Sequence, residues 1–141
     1  TIGRNKMSNN GNFSEQEFNE FLNGYIEAML GTELDDNDDP LDRNYSVEDI
    51  DPKCYGRAQI DCMAFLFEAA WMIRQERRLD YRWTNFEMAG HDLLLTRNGH
   101  GAGFWEEADW PAYGDSLDKL CEKFFKEVNA YVGDDGKVYI G

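Results

Sequence analysis

The side chains best suited to chemistry lie together in residues 89–105, which read AGHDLLLTRNGHGAGFW. This segment contains both histidines of the protein. A histidine beside a carboxylate can act as a general base near neutral pH, and two histidines with a carboxylate can hold a metal ion. The candidate polar cluster consists of His91, Asp92, Arg97, Asn98 and His100.

The backbone expected for this segment limits what the cluster can do. The leucines at 93–95 predict an apolar strand, the sequence NGHG at 98–101 predicts a turn, and the chain then returns through Phe104. Side chains alternate across a strand, so His91 and Asp92 would face opposite sides of this hairpin. We therefore predict a structural polar network, with a binding site or a catalytic site as the alternatives, and no metal or cofactor.

The same segment resembles a signature of small acidic proteins of tailed bacteriophages. In that signature a Gly-His-Asp strand leads into a Thr-Arg-Asn-Gly-His-Gly-Ala-Gly-Phe-Trp turn, which matches residues 90–105. Shorter matches at 40–50 and 131–139 flank it, so that the resemblance covers most of residues 20–141. The family has no settled activity, and the resemblance therefore implies a phage origin and a shared fold rather than a mechanism.

Helical periodicity and capping residues predict the elements around the hairpin. Ser14 and Glu17 form a capping box ahead of an amphipathic stripe, and Asp51 followed by proline is typical of a helix start. The second helix is apolar over so wide an arc that it should be central to the core. The predicted helices cover residues 14–30, 52–78 and 116–128.

These elements predict one α+β domain, with three helices packed on a small antiparallel sheet built from two β-hairpins. The first hairpin covers residues 91–105, and the second covers 130–140 with Asp-Gly turn chemistry. We expect residues 1–12 to be a disordered end or an expression remnant, and residues 13–141 to form the domain.

Length and composition are typical of a globular domain without a membrane span. The 141 residues are long enough for a proper core, and no apolar run reaches the 18 or so residues of a membrane span. Cys54, Cys62 and Cys121 match no zinc-binding spacing and fall on helical apolar patterns. We expect reduced core cysteines and a cytoplasmic protein without membrane contact.

The charge is strongly acidic and unevenly distributed. The net charge is −14, and residues 33–51 hold nine acidic residues against Arg43 alone. Because Pro40 occupies the place of the glycine that a calcium-binding loop requires, we interpret residues 33–42 as an ordinary exposed loop, followed by a short turn at 46–50. The negative electrostatic potential of so many carboxylates repels nucleic acid and attracts basic surfaces. We therefore expect no direct nucleic-acid binding.

A non-catalytic inhibitor of a host defence protein is the function that this charge favours. Clustered carboxylates can stand where the phosphates of DNA would sit on a basic nucleic-acid-binding protein, as in anti-restriction or anti-CRISPR inhibition. The alternatives are a small hydrolytic or metal-dependent nucleotide-processing enzyme that uses His91 and His100, or an accessory phage protein with a solubilising acidic surface. The residues predicted to bind the partner are Asp35, Asp36, Asp38, Asp39, Asp42, Glu106, Glu107, Asp109, Trp105 and Trp110.

Overall fold

The computed structural model describes residues 12–80 and 82–141. Our prediction for residues 1–12 therefore lies outside the described residues, except at Asn12, whose carbonyl accepts a hydrogen bond from Arg74. In chain order the elements are α1 (Glu15–Thr32), two short 3₁₀ helices (Leu41–Arg43 and Val47–Asp49), α2 (Pro52–Gln75), α3 (Asn85–Arg97), α4 (Gly114–Phe124), β1 (Ala130–Val132) and β2 (Val138–Ile140).

The starts of the first two long helices follow the predicted capping chemistry. Ser14 Oγ accepts from the Glu17 amide at 3.0 Å, and the Glu17 carboxylate accepts from the Ser14 amide at 2.9 Å. At the start of α2, Asp51 caps the helix by accepting from the Cys54 amide. Both capping predictions are confirmed, because these hydrogen bonds depend only on neighbouring residues.

The segment predicted as the first hairpin is instead mostly helix α3. Thr84 caps this helix by accepting from the Glu87 amide, and Asn98 with Gly99 (φ +67°) ends it. The Asn-Gly pair that indicated a hairpin turn is therefore a helix stop, where glycine adopts a left-handed conformation at low cost. The hairpin at 91–105 is wrong.

Buried leucines explain why the sequence of α3 is easily misread. Leu93, Leu94 and Leu95 occupy three different sides of the helix, and all three are buried. A helix surrounded by protein has no polar face and no 3.6-residue pattern, so a run of leucines within it resembles a buried strand.

The closest packing in the protein is the crossing of α1 and α3 at two glycines. A Cβ atom placed on Gly24 would lie 1.9 Å from the carbonyl oxygen of Glu87, and one placed on Gly90 would lie 1.8 Å from that of Phe21. The two backbones are therefore in direct contact. No other residue type would fit at either position without moving the helices apart.

Helix α2 packs beside this pair through one face only. Phe65 stacks on Phe21 of α1 at 5.9 Å and on Phe104 at 5.7 Å, which places the aromatic core between α1, α2 and the segment after α3. Helix α2 contributes eight buried side chains to the core, but a second apolar face of this helix is in contact with solvent. The exposed side chains of that face are Ile60, Met63, Phe67 and Trp71.

The sheet is smaller than predicted. Residues 130–140 form the predicted antiparallel hairpin, with Tyr131 opposite Tyr139 and the turn closed by Gly136 at φ +82°. No further strand element occurs in the described residues. The fold is α+β, but four helices and one two-stranded sheet replace the predicted three helices and two hairpins. None of the described helices combines the length and apolar character that crossing a membrane would require.

Substituting the crossing glycines tests this architecture. We expect Gly24→Ala or Gly90→Ala to lower the free energy of unfolding by at least about 3 kcal/mol, because the new methyl group overlaps a backbone carbonyl that cannot rotate away. Chemical denaturation followed by circular dichroism measures the change.

Gly56→Ala is the matched control. Gly56 also lies inside a helix, but a Cβ atom there has nothing within 4 Å. Alanine should therefore stabilise α2 by up to about 1 kcal/mol through helix propensity. Equal destabilisation by all three substitutions would contradict the close crossing.

Candidate functional site

The residues of the predicted polar cluster are separated by the helix. His91 and Asp92 lie within α3, whereas His100 follows its end, and the His100 amide donates to the carbonyl of Leu95. No hydrogen bond joins the two imidazoles in the described part of the chain. Neither histidine belongs to a group of three His, Cys, Asp or Glu side chains that could hold a metal ion in the described residues.

Asp92 has a structural partner. It is 5% exposed, and its Oδ2 accepts from the indole Nε1 of Trp110 at 2.7 Å. The Nδ1 of His91 lies 3.4 Å from the other carboxylate oxygen. Trp110 itself is 2% exposed, so the prediction that it binds a partner is wrong: its indole supports α3 from inside the core.

Arg97 and Asn98 connect the end of α3 to distant segments. Arg97 Nη1 donates to the Tyr25 hydroxyl at 2.7 Å and to Asp61 Oδ2 at 2.8 Å. The Asn98 side chain both donates to and accepts from the backbone of Val128, at 2.7 and 2.8 Å. The Arg97 bonds tie the end of α3 to side chains of α1 and α2, and the Asn98 bonds satisfy irregular backbone at Val128.

A buried carboxylate that sequence reasoning missed supports the start of α4. Glu76 is 5% exposed and accepts from the amides of Ala112 and Tyr113 at 3.0 and 2.8 Å. A glutamate just after a helix has the sequence appearance of a solvated residue. Only the position of the distant 112–113 backbone gives Glu76 this role.

The acidic segment, residues 33–51, forms a tight loop followed by the two 3₁₀ helices. Asp35 Oδ1 accepts from the amides of Asn37 and Asp39, and Leu34 bridges to Pro40. Arg43 lies 2.9 Å from Asp39. This is the one ion pair of the acidic segment in the described structure, and Asp36, Asp38 and Asp42 are exposed without a cation.

The second predicted acidic patch is only partly available to a partner. Glu106 and Glu107 are exposed, and Trp105 beside them is 43% exposed. Asp109, however, lies 3.5 Å from the buried guanidinium of Arg78, which also faces the Trp110 ring. Asp109 therefore neutralises an internal charge, and the available part of this patch is Trp105, Glu106 and Glu107.

A cavity of about 690 Å³ opens between α1, the start of α3 and the 3₁₀ region. Its walls combine aromatic rings with acidic side chains. The lining includes Tyr45, Tyr55 and Trp83 as the aromatic residues, Glu27, Asp42 and Glu87 as the carboxylates, His91, and the apolar floor of Ile26, Ala28 and Leu30.

Carboxylates of like charge line this cavity. Burial, followed by the repulsion of Glu27 and then of Glu20, raises the pKa of Glu87 above its ordinary value of 4.5. No ion pair or side-chain hydrogen bond holds Glu27 or Glu87 within the described residues. The cavity therefore has negative potential that the fold itself leaves uncompensated.

No family model, curated protein or solved structure matches this chain. The resemblance to phage proteins therefore stays a prediction.

Two of the three cysteines are buried and unreactive in this fold. Burial raises the pKa of the Cys62 thiol, and it raises that of Cys121 to about 12, which disfavours the reactive thiolate of both. Across residues 12–80 and 82–141, no three His, Cys, Asp or Glu side chains are grouped to hold a metal ion. What the site offers is a concave, negatively charged surface with aromatic walls.

Sequence reasoning missed the cavity because it depends on α3 being a helix. Glu87 and His91 are four residues apart, and this spacing places both on one helical face. A hairpin over residues 91–105 does not predict that Glu87 and His91 lie close to each other or to Glu27 on α1.

Replacing Trp110 tests the structural role of the motif. Trp110→Phe keeps an aromatic side chain but removes the indole donor and part of the ring volume, and it should cost at least about 1–3 kcal/mol by leaving a buried carboxylate without its partner. Trp105→Phe, at an exposed ring, is the control and should change the free energy of unfolding by less than about 0.5 kcal/mol. Equal effects of the two substitutions in urea denaturation would contradict the Asp92–Trp110 contact.

The charge repulsion in the cavity predicts a titration. Because Glu27 contributes to the raised pKa of Glu87, Glu27→Gln should lower that pKa while leaving it above 4.5, since burial and Glu20 remain. The raised folded-state value means that protonation of Glu87 favours folding as pH falls through its pKa. Carboxyl NMR titration measures the shift, with Glu107→Gln as a control that should leave the Glu87 curve unchanged.

Proposed function

We propose that this protein is a non-catalytic inhibitor encoded by a bacteriophage, which binds a basic, nucleic-acid-binding defence protein in the cytoplasm of its bacterial host. Its carboxylates take the places of nucleic-acid phosphates, as in anti-restriction or anti-CRISPR inhibition. The phage origin is supported by the resemblance of residues 90–105 to the phage signature.

The observation that carries this proposal is the scarcity of cations around the acidic segment in the described part of the chain. There, the nine acidic side chains of the segment have a single ion pair, between Asp39 and Arg43. A surface that only needed solubility could intersperse both signs of charge, which avoids repulsion among neighbouring carboxylates. Concentrated carboxylates are the feature that a Lys- and Arg-lined groove selects, because that groove evolved to meet closely spaced phosphates.

The backbone of the acidic segment adds to the case. The Asp35 side chain, the Leu34–Pro40 bridge and the two 3₁₀ helices hold Asp36, Asp38 and Asp42 on an ordered loop. Groups already fixed before binding lose less conformational entropy when a partner docks. A loop whose charges are held in place therefore binds more strongly than a disordered acidic tail of equal charge.

Trp105 gives the second patch an anchor of a different kind. Its ring is 43% exposed beside Glu106 and Glu107. Exposed tryptophans are frequent hot spots of protein interfaces, because they bury a large area at low entropic cost. We assign Trp105 the role that the sequence suggested for both tryptophans.

Capture with competition by DNA tests the proposal. Immobilised protein is incubated with bacterial lysate at low salt, and the retained proteins are identified by mass spectrometry. We expect nucleic-acid-binding proteins that are released both by high salt and by added double-stranded DNA. A variant with five Asp→Asn changes should lose most of this retention, the changes being at Asp35, Asp36, Asp38, Asp39 and Asp42.

A second variant separates local charge from total charge. It neutralises five exposed carboxylates elsewhere, so that its net charge equals that of the first variant, and it should keep the retention. Its changes are Glu15→Gln, Glu68→Gln, Glu122→Gln, Glu127→Gln and Asp134→Asn. Equal loss in both variants, or retention that DNA does not compete, would overturn phosphate mimicry.

A further inference from the structure

The cavity beside the acidic segment has the composition of a site for an organic cation. Its polar lining carries three carboxylates, Glu27, Asp42 and Glu87, against one titratable base, His91. Two of these carboxylates repel each other, as the raised pKa of Glu87 records. A positive group placed between them would relieve the repulsion and gain two charge-assisted contacts.

The aromatic walls define the kind of cation. Tyr45, Tyr55 and Trp83 border the same space, and Trp83 is 37% exposed toward it and solvent. Aromatic faces attract ammonium and guanidinium groups, with tryptophan the strongest. The acidic side chains and the histidine of the lining do not form a group that could hold a metal ion in the described residues, and the carboxylates disfavour any anion.

The size of the cavity fits a side chain rather than an isolated ion. Its volume of about 690 Å³ lies within the range of roughly 300–1,000 Å³ for small-molecule sites. The floor of Ile26, Ala28 and Leu30 is apolar, which suits the methylene stem of a long basic side chain.

The cavity is also continuous with the proposed binding surface. Asp42, Tyr45 and Val47 belong to the acidic segment and line the cavity at the same time. A basic partner that docks on the acidic segment therefore has the cavity beneath it.

We propose that this cavity binds the ammonium or guanidinium group of one Lys or Arg side chain of the basic partner, between Glu27 and Glu87 and against Trp83. This assignment rests on the proposed function, and it names the point at which the partner is anchored. A free small-molecule amine would satisfy the same chemistry and is the other source to be distinguished.

Titration with blocked amino acids tests the site. Acetyl-arginine amide is added to ¹⁵N-labelled protein, and amide and indole shifts are followed by NMR. We expect saturable shifts at Trp83, Glu87 and His91, and none with acetyl-citrulline amide, which has nearly the same shape without the charge. Glu87→Gln should weaken binding about tenfold, while Glu122→Gln on α4 should not change it.

A parallel titration with spermidine tests whether the cavity binds a free amine instead. Binding of spermidine in the cavity without binding of acetyl-arginine amide or acetyl-lysine amide would overturn the assignment to a partner side chain. Shifts that are absent, or that spread over the acidic surface and persist in Glu87→Gln, would overturn the cavity site itself.

The capture experiment separates this inference from the proposed function. A Glu27→Gln, Glu87→Gln variant leaves Asp35, Asp36, Asp38, Asp39 and Asp42 intact. If that variant retains partners as well as the wild type does, the cavity assignment fails while phosphate mimicry stands. If the five-aspartate variant also retains them, the proposed function fails as well.

Discussion

The contact on which the rest of the structure depends is the crossing of α1 and α3 at Gly24 and Gly90. Because each glycine lies against a carbonyl of the other helix, the backbones touch and α3 is drawn into the centre of the protein. That approach brings Glu27 and Glu87 to the same cavity, although they come from different helices. The crossing that gives the core its density therefore also creates the local excess of negative charge.

The polar side chains of residues 91–98 serve the same architecture. Asp92 accepts a hydrogen bond from the buried indole of Trp110, which holds the segment before α4. Asn98 bonds to the backbone of Val128 after α4, where no sheet or helix supplies a partner. Side chains that suggested an active site in the sequence are thus used to fix the segments before and after α4.

Local signals predicted local structure, and non-local packing decided the remainder. The capping box at Ser14, the helix start at Asp51 and the hairpin turn at Gly136 involve neighbours in sequence, and all three could be predicted. The state of residues 85–97 could not, because Leu93–Leu95 form a helix on account of what surrounds them. The acidic segment was visible in composition, whereas the cavity required the correct face of α3 and its position against α1.

The distribution of ion pairs leaves the acidic segment largely without internal cations. Among the described residues, five arginines have carboxylate partners, and one of these pairs lies in the acidic segment. The pairs are Arg43–Asp39, Arg74–Glu17, Arg78–Asp109, Arg82–Asp80 and Arg97–Asp61. Arg78 and Arg97 are held largely inside, where their role is to support the loop before α4 and the end of α3. These pairs leave Asp36, Asp38 and Asp42 of the acidic segment exposed without a cation among the described residues, and this arrangement supports the proposed binding to a surface rich in lysine and arginine.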